Sequence, residues 1–174
     1  MDKTINIEDR EIRRLLKTLG SKNGMERKKA REKLVAMGNT VSGYLLELYN
    51  NPKHINRWEA LKTAEEIGYT GSIPLFIKAL EDDEGDLRWI AAEGLIKLGS
   101  QSIQPLLQTL IDKSDSIFVL AGIHHVFYNL KKEKKLPPDF PIEKLLPALK
   151  NSKWLKSIKP IAYELLNALQ SNSA

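Results

Sequence analysis

The sequence predicts an all-α protein, an α-solenoid of about five antiparallel helix pairs, and three observations carry that prediction. One motif recurs every 30 or 31 residues; a second, amphipathic motif recurs five times; and no segment alternates apolar and polar residues over more than a few positions, as a half-buried strand would.

The first motif appears when Arg27, Arg57 and Arg88 are placed in register. Ala30, Ala60 and Ala91 then align, followed by Leu34, Ala64 and Leu95 and by Gly38, Gly68 and Gly99. The alanine and the residue four places on share one helical face, which defines a helix termed A. Its glycine marks the end, where the chain commonly turns left-handed at little cost only for glycine.

The second motif is an apolar residue followed at +3, +4 and +7 by three more, and it defines a helix termed B. It fits Ile12, Leu15, Leu16, Leu19; Val41, Tyr44, Leu45, Leu48; Ile73, Phe76, Ile77, Leu80; Ile103, Leu106, Leu107, Leu110; and Ile142, Leu145, Leu146, Leu149. Two residues beyond each last position stand Ser21, Asn50, Asp82, Asp112 and Asn151, short polar side chains suited to ending one helix or capping the next.

The remaining A helices fit less well. The fourth is expected over about 117–130, with Ala121 at the small-residue position and Phe118 where the arginine stood, and it lacks a closing glycine. The segment from Lys131 to Pro141, with Pro137, Pro138 and Pro141, reads as a long irregular loop. The fifth A helix is expected to start at Lys159-Pro160, where proline suits a first turn, and to bury Ala162, Leu166 and Leu169. Each pair exposes an apolar stripe that only a neighbouring pair covers, so the pairs stack along the chain. Residues 1–174 read as a single repeat domain, most regular over 27–112.

Composition narrows the function classes. The chain has 174 residues, 42% hydrophobic and 28% charged, and no cysteine, which excludes disulfides, thiolate metal sites and cysteine nucleophiles. No apolar run approaches a membrane span and no secretory pattern opens the sequence, so a cytoplasmic, membrane-free location is expected. Net charge is +5 but uneven: residues 81–120 carry 3 basic against 8 acidic residues, between basic ends. A protein that tracks a phosphate backbone needs a continuous basic stripe, and here the stripe is interrupted.

With Arg, Ala, Leu and Gly at these offsets, and the B motif followed by Asp or Asn, the chain resembles the HEAT-like repeat of phycobilisome lyases. The resemblance is best over Arg57–Asp112, where "RWEALKTAEEIG" and "RWIAAEGLIKLG" match each other. It implies a HEAT-like solenoid but not an activity, because proteins with this repeat include bilin lyase subunits, deoxyhypusine hydroxylases, alkylpurine DNA glycosylases and scaffolds without chemistry. It also implies that the repeated arginines are structural, bonding Asn50, Asp82 or Asp112 between repeats.

The residues themselves give little support to catalysis. His54 lies in a turn, and His124 and His125 diverge by about 100° with no carboxylate three or four residues on, which disfavours a metal site. No serine lies in a nucleophile elbow, and Gly68–Ser72 lacks a phosphate-binding lysine. The acidic run Glu81–Asp86 lacks calcium-loop spacing and reads as a solvated loop with one or two caps. Trp58 and Trp89 are expected to pack between successive A helices. No cofactor is expected, and the chain reads as a non-enzyme.

Function is therefore sought on the outer face of the B helices, which in such solenoids line the concave side. The expected partner is a protein or peptide, with Arg14, Lys17, Leu46, Glu47, Leu75, Lys78 and Gln108 as candidate contacts and Leu46 and Leu75 as apolar anchors. Nucleic acid bound by the basic N-terminal helices and Lys131–Lys135 is the second reading. A bilin-lyase-like role rests on the resemblance alone.

Overall fold

The computed structural model describes residues 7–151 and 155–171, and among the described residues there are ten α-helices and no strand. They are α1 (Ile7–Leu19), α2 (Gly24–Met37), α3 (Ser42–Tyr49), α4 (His54–Ile67), α5 (Ile73–Ala79), α6 (Gly85–Leu98), α7 (Ile103–Asp112), α8 (Ile117–Lys132), α9 (Leu145–Lys150) and α10 (Leu155–Ser171). The odd-numbered helices carry the B motif and the even-numbered ones the A motif, so the fold is the expected all-α solenoid type. Internal contacts cluster into two compact units, Met1–Leu75 and Phe76–Ala174, and the division falls within α5.

The motif positions are the core. Ala30, Leu34, Ala60, Ala64, Ala91 and Leu95 are buried, as are the first, second and last residues of every B set except Tyr44 and Leu48 in the second. The small alanines let an apolar helix face approach its neighbour, and close packing of such faces replaces a central core.

The three glycines end their helices, but in two ways. Gly68 is left-handed at φ 65°, ψ 36°, and its N–H bonds Ala64 O. Gly38 (φ 65°, ψ −137°) and Gly99 (φ 64°, ψ −134°) occupy a region open essentially to glycine, bond Val35 O and Ile96 O, and lead directly into one-turn 3-10 helices. The left-handed conformation expected at all three is thus found only at Gly68.

The repeated arginines all bond backbone carbonyls, a kind of partner the sequence does not reveal. Arg27 Nη1 donates to Ser21 O (2.8 Å), Arg57 Nη1 to Pro52 O (3.0 Å), and Arg88 Nη1 to Asp82 O (2.6 Å) and Asp83 O (2.9 Å). Each arginine reaches back to backbone carbonyls in the loop leaving the preceding B helix, where the negative end of that helix favours a cation. Asp82 takes part through its carbonyl, on Arg88.

In the first unit α1 packs on α2 and α3, and α3 and α2 each pack on α4. A carboxylate joins the last two helices. Glu59 of α4 is 1% exposed and accepts from Arg27 Nε (3.0 Å) and Arg31 Nη1 (2.6 Å) of α2, while Arg31 Nε makes an ion-pair contact with Glu66 Oε1 at 2.9 Å. Two charge-assisted bonds satisfy the buried carboxylate, and removing one partner of such a buried set typically costs about 3–5 kcal/mol.

In the second unit α6 packs on α8, α8 on α9, and α10 on α7 and α9. The register of α8 differs from that expected: Ala121 is exposed, and Val119, Ile123 and Phe127 are buried, each 32 residues after Leu87, Ala91 and Leu95. A large isoleucine therefore stands in the small-residue position, and Phe118 lies beside Arg88, with the guanidinium 4.2 Å from its ring centroid. Helix α8 extends through Lys132, so the irregular loop starts two residues later than expected. Pro160 is not in a first turn but inside α10, where it has no N–H for the carbonyl four residues earlier; Leu165 is buried in place of the expected Leu166 and Leu169.

The glycine geometries predict unequal responses to a methyl group. Gly68→Ala is expected to cost about 1 kcal/mol, and Gly38→Ala and Gly99→Ala each about 2–3 kcal/mol, read from urea unfolding. Equal losses at the three positions would contradict the assignment.

Candidate functional site

An open cavity of the first unit, about 750 Å³, lies where the end of α1, α3 and the α3–α4 turn meet. The two B helices supply Arg13, Leu16, Lys17 and Gly20 from one side and Tyr44, Glu47 and Leu48 from the other. Asn50, Asn51, Pro52 and Lys53 form its end, and Asn56 from the first turns of α4 reaches it from below. The turn is held by Asn51 Oδ1, which accepts from Lys53 N at 3.0 Å, and by Pro52 O on Arg57.

One wall is organised by a polar chain. Tyr44 Oη donates to Asp9 Oδ1 at 2.6 Å, Arg13 Nε donates to Asp9 Oδ2 at 3.2 Å, and the Arg13 guanidinium lies 5.4 Å from the Tyr44 ring centroid and 3.9 Å from Glu47 Oε1. The Tyr44 hydroxyl, above all, holds the Asp9 carboxyl below its ordinary value, with Arg13 acting in the same direction against a desolvation that raises it. The same bond raises the Tyr44 hydroxyl. Arg13 and Glu47 therefore offset one another, whereas Lys17 and Lys53 have no carboxylate partner among the described residues.

The floor is different in kind. Asn56 is 8% exposed, and its buried Oδ1 accepts no hydrogen bond. A buried acceptor left unmet costs about 1–3 kcal/mol, so this amide oxygen is an unfavourable feature of the fold on its own. Gly20 makes the room for it: a Cβ at that position would stand 2.8 Å from Asn56 Oδ1.

Of the residues chosen from sequence, the structure brings together Lys17 and Glu47. Leu46 is 37% exposed on α3 beside the groove but does not line it. Arg14 is exposed and turned away, bonded to Glu11 (2.8 and 2.6 Å) above a second, shallower cavity of about 430 Å³ between α1 and α2. Leu75 is 2% exposed and is a core residue, so it cannot anchor a partner. Its position opposite the apolar stripe misled, because α5 is covered on more than one side. Lys78 and Gln108 are exposed in the second unit, where Gln108 Nε2 donates to Asp112 at 3.2 Å. Sequence reasoning missed Arg13, Tyr44, Lys53 and Asn56. Asn56 had a readable signal, an amide four residues before Ala60 on the stripe that faces the core.

Elsewhere the candidate clusters are largely self-satisfied. Lys131 pairs with Glu143 at 2.6 Å and Lys135 with Glu133 at 2.7 Å, leaving Lys132 and Lys134 as the uncompensated half of the lysine cluster. His125 Nε2 lies 3.1 Å from Glu93 Oε1 of α6 and its ring 4.8 Å from Trp89, which packs against α8 although 58% exposed. Trp58 takes the Arg31 guanidinium of α2 at 5.8 Å. His124 is held below its ordinary value by burial first, then by Lys150 and His125. No group of three or more His, Asp or Glu side chains among the described residues is arranged to hold a metal ion, and no described helix is long and apolar enough to cross a membrane.

Residues 41–124, from the turn before α3 into α8, match the family model of HEAT repeats. The helix pairs and that match make the fold an all-α solenoid type, with HEAT repeats over residues 41–124. No curated protein matches the chain.

The polar wall makes a pH prediction. Because the folded-state value of Asp9 is depressed, its contribution to stability is present above the ordinary carboxylate value and is lost as pH falls through the depressed one. In Tyr44→Phe the Asp9 carboxyl is expected to titrate at higher pH than in the wild type, read from its carboxyl carbon NMR shift. An unchanged titration would show that Tyr44 does not set it.

Proposed function

We propose that this protein is a non-catalytic scaffold that binds a partner protein or peptide through the exposed faces of its B helices, with the α1–α3 groove as the main contact. The observation that carries the reading is the groove itself: about 750 Å³ of open space, walled by a hydrogen-bonded polar chain and floored by an unbonded amide. HEAT repeats as a class commonly serve protein binding, which agrees with it. Lys17 and Glu47 act in the groove and Leu46 beside it, while Arg14 on α1 and, in the second unit, Lys78 and Gln108 offer further exposed B-helix contacts.

The nucleic-acid reading loses weight because two of the four lysines at 131–135 are paired with glutamates. A bilin-lyase-like role rests on the resemblance of the repeat motif. A cytoplasmic setting fits a chain of 174 residues without cysteine.

The test compares full-length wild type, a Lys17→Glu/Glu47→Lys variant and a Lys132→Glu/Lys134→Glu control in quantitative affinity purification. Partners are expected to fall away about tenfold in the groove variant and to remain on the control. Retention of every partner by the groove variant would overturn the reading.

A further inference from the structure

We propose that the α1–α3 groove receives an extended acidic segment of the partner, with carboxylates on Lys17 and Lys53 and a main-chain amide on Asn56; this rests on the protein-binding reading above. Three features of the groove converge on that chemistry. Lys17 and Lys53 face the same space from α1 and from the α3–α4 turn, and neither has a carboxylate partner among the described residues, while Arg13 is already engaged by Asp9 and Glu47. The groove therefore carries two uncompensated positive charges that an anionic segment complements.

The second feature is the amide. Asn56 Oδ1 is buried and accepts nothing, and Gly20 keeps clear the space that a Cβ would fill at 2.8 Å. An amide offers an acceptor and two donors on one plane, which match the free N–H and C=O of an extended chain. A helical ligand would present neither, because its interior backbone groups are bonded to one another. The amide thus selects for extended backbone, as the lysines select for acidic side chains.

The third feature separates protein from polyphosphate. Glu47 lies on the groove wall, and Leu16, Leu48 and the Tyr44 ring give it half-buried apolar edges. A string of phosphates would meet the lysines but leave those apolar edges uncovered. A peptide that alternates acidic and apolar side chains satisfies both.

Fluorescence anisotropy of the full chain tests this with three labelled probes: a peptide of alternating Glu and Leu, its Lys–Leu counterpart, and oligothymidylate. The Glu–Leu peptide is expected to bind at least about tenfold tighter than the Lys–Leu peptide, and Lys17→Glu/Lys53→Glu to lose about that factor with an unchanged helical circular dichroism spectrum. Asn56→Ala is expected to weaken the Glu–Leu peptide, and N-methylation of the peptide backbone to add nothing further in that variant. Equal or tighter binding of the Lys–Leu peptide would overturn the acidic assignment while leaving protein binding intact, as would failure of both peptides where partner loss in the purification persists. Oligothymidylate that displaces the peptide in a Lys17- and Lys53-dependent way would overturn it in favour of a phosphate ligand. If neither peptide binds and purification partners are also indifferent to the groove, the underlying protein-binding reading fails with it.

Discussion

In the first unit a single buried carboxylate governs the packing. Glu59 is removed from water on α4 and is tolerable there only because Arg27 and Arg31 of α2 both donate to it. Apolar stripes alone define which faces of the helices meet but allow them to slide. A pair of directed charge-assisted bonds does not, so the position of α4 along α2 is set by this contact. Arg27 also holds the loop carbonyl of Ser21, and thereby couples the end of α1 to the same point.

That registration positions the groove. Asn56 is three residues before Glu59 on α4, so fixing Glu59 also fixes where the Asn56 amide emerges beneath the ends of α1 and α3. The side chain stays unbonded because its neighbours give it room without giving it a partner: Gly20 offers no Cβ, and the turn residues Asn51 and Pro52 spend their polar groups on the backbone of Lys53 and on Arg57. The repeat thus builds rigid walls from residues that recur, and the groove takes its chemistry from residues that do not.

The same division explains what the sequence made legible. Periodicity identifies a helix by its buried face, and the A and B motifs located all ten described helices, because burying Ala30, Ala60 and Ala91 requires the same spacing each time. It failed where the constraint was not periodic. In α8 the isoleucine at 123 replaces alanine, and matching on residue type placed Ala121 in the core when it is exposed. Pro160 has the composition of a helix start but lies within α10. On the surface, Lys17 and Glu47 were found by counting away from the apolar stripe, and Leu75 failed the same count because α5 is covered on more than one side. Lys53 and Asn56 come from outside the B helices, and only three-dimensional packing brings them to the groove. The arginine ladder was legible as structural, while the loop carbonyls it bonds were not, since backbone carbonyls leave no mark in a sequence.

In the proposed reading, the unbonded Asn56 amide is the point at which the groove meets a partner. The most direct measurement tracks the Asn56 side-chain NH₂ resonances in a proton–nitrogen NMR titration of the full chain with the Glu–Leu peptide. The account predicts that these resonances shift on binding and that their hydrogens become protected from exchange, together with backbone amides of the α1 end and the α3–α4 turn. Binding that moves resonances elsewhere and leaves the Asn56 amide unchanged would contradict it.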